Sequence, residues 1–503
     1  MSVFTFIGRL LLKAREKSIS KFIENPLPDQ KNTLKDLINK GASSDYGKKY
    51  SLDKIQTYKE FSEQIPVVNY EEFFPEIDKV LHGKKNIIWP GKIRWFAKSS
   101  GTTNDKSKFI PVSQKSLDAN HFKAGRDLLS VYFSNYKNSN LFDGLGLALG
   151  GSKQIAPYAK NNNIFTGDIS AILLKTLPFW AKKMRTPNIE VALMPDWERK
   201  LKLMAKITSQ QNITSLSGVP TWTIVLIKEV LKITGKKNIL EVWPNLELFI
   251  HGAVSFVPYK NLFNDLIPSH RMRYLETYNA SEGFFAFQDK PDSKEMILLT
   301  NHGVFYEFED LYTKEICDLS KVKVDKIYAL IISTFSGLWR YRIGDTIRFS
   351  SVDPYRILIA GRTKHYINAF GEEVIVQNSD RAISNTCELF SLSFYNYSAA
   401  PIFITGEKRG AHEWIIELQS HPENKNEFIK TLDNELRKVN SDYDAKRYKN
   451  IALKPPVVHF VNEGFFDFWL KKRKKLGGQN KIPRLSNDRN YIDDMLCYIK
   501  RFQ

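Results

Sequence analysis

Ser99-Ser100-Gly101-Thr102-Thr103-Asn104-Asp105-Lys106-Ser107-Lys108 directly follows the strand-like run Ile93-Arg94-Trp95-Phe96-Ala97. A glycine lets the backbone approach closely and aim N–H groups at an anion, the flanking hydroxyls add hydrogen bonds, and a nearby lysine supplies charge. The stretch therefore reads as a polyphosphate cradle. It is not a Walker A loop, because Asp105 stands where a second glycine is required before the Lys-Ser pair. The next residues, Phe109-Ile110-Pro111-Val112, have the pattern of a return strand, which puts the loop at the tip of a hairpin. Taken alone, the same residues also fit a polar surface turn.

Outward from this loop, short apolar or β-rich runs alternate with longer amphipathic segments. The runs are Arg94–Ala97, Gly144–Leu149, Leu246–Ile250, Arg271–Leu275, Met296–Leu299, Val304–Phe308 and Ile327–Thr334; the amphipathic segments include Gln114–Phe133 and Thr223–Ile233. This alternation predicts an α/β body, with a small β-barrel-like or antiparallel part at about 290–360. After Gly361 the texture changes. Phe428, Ile429, Leu432, Leu436 and Val439 share one helical face, and Glu413–Leu418 has a strand pattern, so a smaller α+β domain is expected over 363–503, with 1–362 as the large domain. At the N-terminus, Phe4, Ile7 and Leu11 recur at helical spacing and predict an amphipathic helix packed on the body.

The 503 residues are 42% hydrophobic and 26% charged, which excludes a disordered chain or a small disulfide scaffold. With 74 Lys and Arg against 55 Asp and Glu, the net charge is +19, a balance that attracts anions without choosing among nucleic acid, acidic lipid and small phosphorylated or carboxylated substrates. No nucleic-acid-binding module is present in the sequence, so no nucleic acid partner is expected. Cys317, Cys387 and Cys497 are far apart and at no metal-ligand spacing, in keeping with a reducing cytoplasm. No apolar run approaches the ~18 residues of a membrane-spanning helix, so a cytoplasmic protein without integral membrane association is expected. The lack of coiled-coil heptads favours a monomer.

Four further segments carry chemistry. Tyr278-Asn279-Ala280-Ser281-Glu282-Gly283 combines an aromatic face suited to a purine, a hydroxyl suited to a phosphate and a carboxylate suited to Mg²⁺. In Trp339-Arg340-Tyr341-Arg342-Ile343-Gly344-Asp345, an acidic group after a glycine turn is placed to accept ribose hydroxyls. Gly361-Arg362-Thr363-Lys364-His365 stands where composition switches, and Asn480-Lys481-Ile482-Pro483-Arg484 follows a glycine-containing stretch that reads as an exposed loop. A lysine on such a loop is a usual means of bringing charge to a transition state.

In this order, the five segments resemble the motifs of the adenylate-forming acyl ligase superfamily. Ile65-Pro66-Val67-Val68-Asn69-Tyr70, Trp89-Pro90-Gly91, Gly218-Val219-Pro220-Thr221-Trp222 and His251-Gly252-Ala253-Val254 are similar to segments of one branch, the Gretchen-Hagen-three (auxin-responsive promoter) family of acyl acid amido synthetases. Asn104 and Asn279 depart from the superfamily pattern, each standing where glycine is common. The resemblance implies a large adenylation domain and a mobile C-terminal lid. It implies that a carboxylic acid reacts with ATP to give an acyl-adenylate and pyrophosphate, and that an amino acid amine then displaces AMP.

Carried over residue by residue, the resemblance assigns Ser99, Ser100, Gly101, Thr102, Thr103, Lys108 and Ser281 to the phosphates of ATP. It assigns Gly252, Ala253, Tyr278, Asp345 and Arg362 to adenine and ribose, and Glu282 to Mg²⁺. Lys481 becomes the catalytic lysine, with Lys364 and His365 as hinge residues. Two alternatives remain at this level: an acyl-CoA or acyl-carrier-protein ligase using the same adenylate, and a non-enzymatic basic binder of nucleic acid or membrane surface.

Overall fold

The computed structural model describes residues 3–99, 108–151, 153–154, 164–254, 256, 259–311, 313–362, 366–405, 409–450, 452–473 and 482–502. Its strands in chain order are β1 (Trp95–Ser99), β2 (Lys108–Val112), β3 (Leu145–Ala148), β4 (Lys153–Gln154), β5 (Phe165–Gly167), β6 (Arg185–Thr186), β7 (Ile213–Gly218), β8 (Leu248–Gly252) and β9 (Arg273–Asn279). Then follow β10 (Phe284–Phe287), β11 (Met296–Leu298), β12 (Val304–Asp310), β13 (Ile316–Asp318), β14 (Ile327–Thr334), β15 (Tyr341–Val352) and β16 (Tyr355–Arg362).

Twelve of these form one sheet in the order β13-β12-β14-β15-β16-β11-β10-β9-β8-β7-β3-β6. From β9 to β6 the neighbours run parallel, and from β13 to β9 they run antiparallel. The parallel half is the α/β body expected from the alternating pattern. The strand-rich stretch at 290–360 forms the antiparallel half, hydrogen-bonded continuously to the rest of the sheet. Local patterning could not reveal that continuity, because the β11–β16 pairing that creates it, with Met296 opposite Ile357, joins strands far apart in sequence.

A second sheet, β2-β1-β5-β4, contains the hairpin read from the sequence, with Ser99 opposite Lys108 at its last pair. Residues 363–503 contribute two-stranded and three-stranded sheets, the latter built from Phe394–Ile402, Ala411–Leu418 and Val457–Val461. The helices Val376–Leu389 and Lys425–Val439 accompany that three-stranded sheet in chain order. One apolar core includes the antiparallel half of the large sheet and the N-terminal helices; another includes Leu147, Phe249 and Trp243 of the parallel half together with Phe370, Trp414 and Leu432 of the C-terminal region.

The helix Val3–Lys13 exists, but its buried face differs from the one the spacing predicted. Ile7 and Leu11 are 49% and 69% exposed, whereas Thr5 and Leu12 are buried. The small residue decides the orientation: a Cβ on Gly8 would lie 2.5 Å from the Phe142 ring, so the helix docks through its flat Gly8 side and turns its larger apolar residues outward. The Thr5 hydroxyl donates to the Asp143 carboxylate on the same side.

Candidate active site

A cavity of about 1080 Å³ opens beside the C-terminal ends of the parallel strands, with Ala148 and Leu149, Ser217 and Gly218, His251 and Gly252, and Thr277 and Asn279 on its wall. Open α/β sheets place ligand sites at strand ends of this kind. Two helices complete the wall. Pro220–Thr234 begins with proline in its first turn and stops at Gly235, whose φ of +68° suits a left-handed cap, and it carries Trp222. Trp197–Thr208 starts at Asp196, whose side chain accepts from the Arg199 amide at 3.0 Å, and it presents Trp197 and Lys200. Gly371, Glu373, Asp442, Asp444 and Lys446 reach the cavity from the C-terminal region, with the Lys446 ammonium 4.6 Å from the Trp222 ring centre.

Of the residues assigned to the nucleotide, Gly252, Ala253 and Ser281 line this cavity. A Cβ at Gly252 would sit 2.5 Å from the Thr277 carbonyl oxygen, so only glycine fits this close approach of β8 to β9. Ala253 holds a φ of +70°, unusual for a residue with a side chain. Ser281 and Glu282 form the tip of the β9–β10 hairpin, closed by the Ala280 amide donating to the Gly283 carbonyl at 2.8 Å. Beside them Asn279 also lines the cavity, and its side chain lies against the buried His121 imidazole, whose charged form it favours.

Tyr278 and Asp345 lie behind the wall. Tyr278 is 5% exposed, packs edge-on against Phe285 and donates its hydroxyl to the Asp345 carboxylate at 2.8 Å. Asp345 stands directly opposite Arg362 across β15 and β16. Lys108 begins β2, its ammonium 5.5 Å from the Tyr70 ring centre. Ser100, Gly101, Thr102, Thr103, Lys364, His365 and Lys481 lie outside the described residues, as do the side chains of Ser99 and Arg362.

The cavity also gathers charged residues that no motif marked. Lys200 is buried, donates to the Gly150 carbonyl at 2.6 Å, and has its pKa pushed down to about 8, mainly by burial. Arg185, on β6, is pushed down to about 10 by burial alone. Asp442 is pushed up to about 7, first by burial; Glu373 and Asp168 raise it further and Lys446 and Lys98 oppose the rise. The only sequence cue to any of these was a charged residue in an otherwise helical or strand-like stretch, which is ordinarily a solvated position. Among the described residues no group of three or more His, Cys, Asp or Glu side chains is placed to hold a metal by itself.

Comparison with known proteins adds the following. Residues 15–272 match the GH3 family N-terminal domain, 297–362 the GH3 family central domain and 377–490 the GH3 family C-terminal domain. The indole-3-acetic acid-amido synthetase GH3.3 of Arabidopsis thaliana is 21% identical, across 90% of this chain and 88% of that protein. The 4-substituted benzoates-glutamate ligase GH3.12 of the same plant is 23% identical, across 93% and 94%. Among solved structures, the AtGH3.15 acyl acid amido synthetase in complex with 2,4-DB has a similar fold, with a TM-score of 0.63 at 17% identity over 97% of this chain and 96% of that one.

Proposed function

The chain belongs to the GH3 family, and from that premise we propose that it is an ATP-dependent acyl acid amido synthetase. The observation that carries this reading is the single cavity that joins the Gly252-Ala253 and Ser281 segments to a wall of apolar and charged side chains closed by the C-terminal region. A nucleotide, an acid and an amine have to meet in one space, and a cavity that joins these segments supports that reading.

In the first step, a carboxylate oxygen of the acid attacks the α-phosphorus of ATP and pyrophosphate leaves, giving the acyl-adenylate. In the second, the neutral amine of an amino acid attacks the acyl carbonyl, AMP leaves, and the nitrogen loses its proton as the amide forms. The first step brings two anions together, so positive charge near the α-phosphate lowers its barrier. We assign this role to Lys481, and the holding of the phosphates to Ser99, Ser100, Gly101, Thr102, Thr103, Lys108 and Ser281. Gly252, Ala253 and Tyr278 are assigned to adenine, and Asp345 and Arg362 to the ribose, with Tyr278 orienting Asp345 through its hydroxyl.

Mg²⁺ takes one or two carboxylates together with substrate phosphates, and Glu282, next to Ser281 at the hairpin tip, fits that donor set. Bound there, the ion would neutralise phosphate charge. The division into residues 1–362 and 363–503 is supported by family segments that end at 362 and resume at 377. The second part then acts as a lid, with Lys364 and His365 as its hinge, shielding the adenylate from water before the amine arrives. No described helix is long and apolar enough to cross a membrane, and we place the enzyme in the cytoplasm as a monomer.

The test is acid-dependent exchange of labelled pyrophosphate into ATP across aryl, indolyl and fatty carboxylic acids, followed by product analysis with amino acids and with coenzyme A. Exchange plus an amide is the expected result. A thioester in place of the amide would assign the chain to acyl-CoA ligation, and the absence of both exchange and ATP binding would overturn adenylation.

A further inference from the structure

Arg185 lies on β6 at the edge of the large sheet, paired with Gly146 of β3. It lines the cavity, whose wall also includes Leu173, Leu174, Leu177, Met194 and Trp197. Among the described residues nothing engages this guanidinium: it makes no ion pair and no side-chain hydrogen bond, and burial alone sets the direction of its shift. Arg185 differs in this from Lys200, also on the cavity wall, whose ammonium is committed to the Gly150 carbonyl. The carboxylates on the same wall, among them Glu373, Asp442 and Asp444, do not engage it. A partly desolvated guanidinium left in this way is costly unless a ligand brings a counter-charge, and its planar fork matches a carboxylate.

Two carboxylates enter the proposed reaction. The one on the acyl acid must reach the α-phosphate and loses its charge when the adenylate forms. Ser281 follows β9, and β6 is four strand spacings from β9. At about 4.8 Å per spacing this is roughly 19 Å, more than an arginine side chain spans. The other carboxylate, on the amino acid acceptor, takes no part in bond formation and stays charged through both steps and in the product. The amine that attacks the acyl carbon holds this carboxylate farther from the α-phosphate than the acid's own reacting carboxylate, and a fixed, unpaired cation on the cavity wall away from the Ser281 strand end suits it.

We propose that Arg185 anchors the α-carboxylate of the amino acid acceptor and thereby makes the enzyme select amino acids over simple amines. The assignment rests on the amido synthetase reading above. Discrimination of this kind is expected because an analogue lacking the carboxylate leaves the half-buried guanidinium unpaired.

The experiment uses full-length wild type, Arg185→Met and Arg185→Lys, each checked by thermal melting, with the acid that gives the fastest pyrophosphate exchange. Amide formation is measured with glycine and glycinamide, and with L-glutamate and its α-amide. In Arg185→Met the amino acid KM should rise at least ~10-fold while exchange stays within about two-fold of wild type, and each amino acid should lose its advantage over its amide. Arg185→Lys should recover part of that advantage, which a merely structural role would not produce. If instead the KM of the acid in the exchange assay rises ~10-fold, the carboxylate belongs to the acyl acid and the assignment to the acceptor falls. Unchanged acceptor and acid KM values in a folded Arg185→Met would remove Arg185 from recognition altogether. A wild type that neither binds ATP nor supports exchange would overturn the underlying reading, a result distinct from either of these.

Discussion

The Tyr278 hydroxyl donates a 2.8 Å hydrogen bond to the Asp345 carboxylate, linking two motifs that lie 67 positions apart in the chain. The bond joins β9 to β15 behind the cavity wall and orients a carboxylate that stands opposite Arg362. The aromatic position therefore has an orienting role as well as its assigned place beside adenine. Asp345→Ala should weaken ATP binding about 10-fold or more by removing a charged acceptor, and Tyr278→Phe, which keeps the ring and loses only the orienting bond, by roughly 2–5-fold. Isothermal titration with ATP measures both. Equal losses in the two variants would show that Asp345 acts only through Tyr278.

Removal of Lys481 should affect the chemical step rather than nucleotide binding, because its proposed contribution is made to charge that develops in the transition state. Lys481→Ala is expected to lower pyrophosphate exchange at least ~100-fold while the ATP dissociation constant changes little. Near wild-type exchange would strike Lys481 from the catalytic residues.

Asp442 gives a pH-dependent stability whose sign follows from its raised pKa. Burial favours its neutral form, so between about pH 4, where the unfolded side chain titrates, and about pH 7, where the folded one does, the native state holds a proton that the unfolded state has lost. The stability referable to this group is complete below that window and is lost as pH rises through 7. Asp442→Asn should accordingly raise the melting temperature at pH 8.5 and leave it almost unchanged at pH 4. Thermal melts of both proteins across this range provide the measurement, and an equal gain at both pH values would contradict the burial argument.

Arg340, inside the Trp339–Asp345 motif, has a structural role. Its guanidinium reaches both oxygens of Glu307 at 2.8–3.1 Å and donates to the Ser62 and Ile65 carbonyls, while the Tyr58 hydroxyl donates to the same carboxylate. Both charged side chains are buried, so removing one partner strands the other. Arg340→Met should destabilise the protein by about 3–5 kcal/mol, seen as a lower urea midpoint with little change in slope. Arg340→Met combined with Glu307→Gln should recover part of the loss, because no unpaired charge then remains buried.

Local chemistry made three residues of the cavity wall legible in the sequence. Gly252, Ala253 and Ser281 stand out by motif chemistry and family pattern, and all three line the cavity. The hairpin around the hydroxyl-rich loop was readable because apolar runs flank a turn-forming stretch, and Ser99 does pair opposite Lys108. The orientation of the first helix was not readable. Periodicity ranks residues by size and apolarity, whereas the docking face was set by the fit of Gly8 to Phe142, a partner 134 positions away.

The sequence by itself determined the order of the motifs, the alternation of strand and helix and the family, because those are properties of neighbouring residues. Tertiary structure alone decided that β6 lies beside β3 at the edge of a twelve-stranded sheet, and that Arg185 lines the same cavity as Gly252 and Asp442. It also decided which of the charges in this basic chain are paired. Lys446 lies over Trp222, Arg340 is tied to Glu307, and Arg185 lines the cavity without a partner among the described residues. The physical reason is that desolvation and ion pairing depend on what surrounds a side chain in space, and strands brought together from distant parts of the chain supply those surroundings.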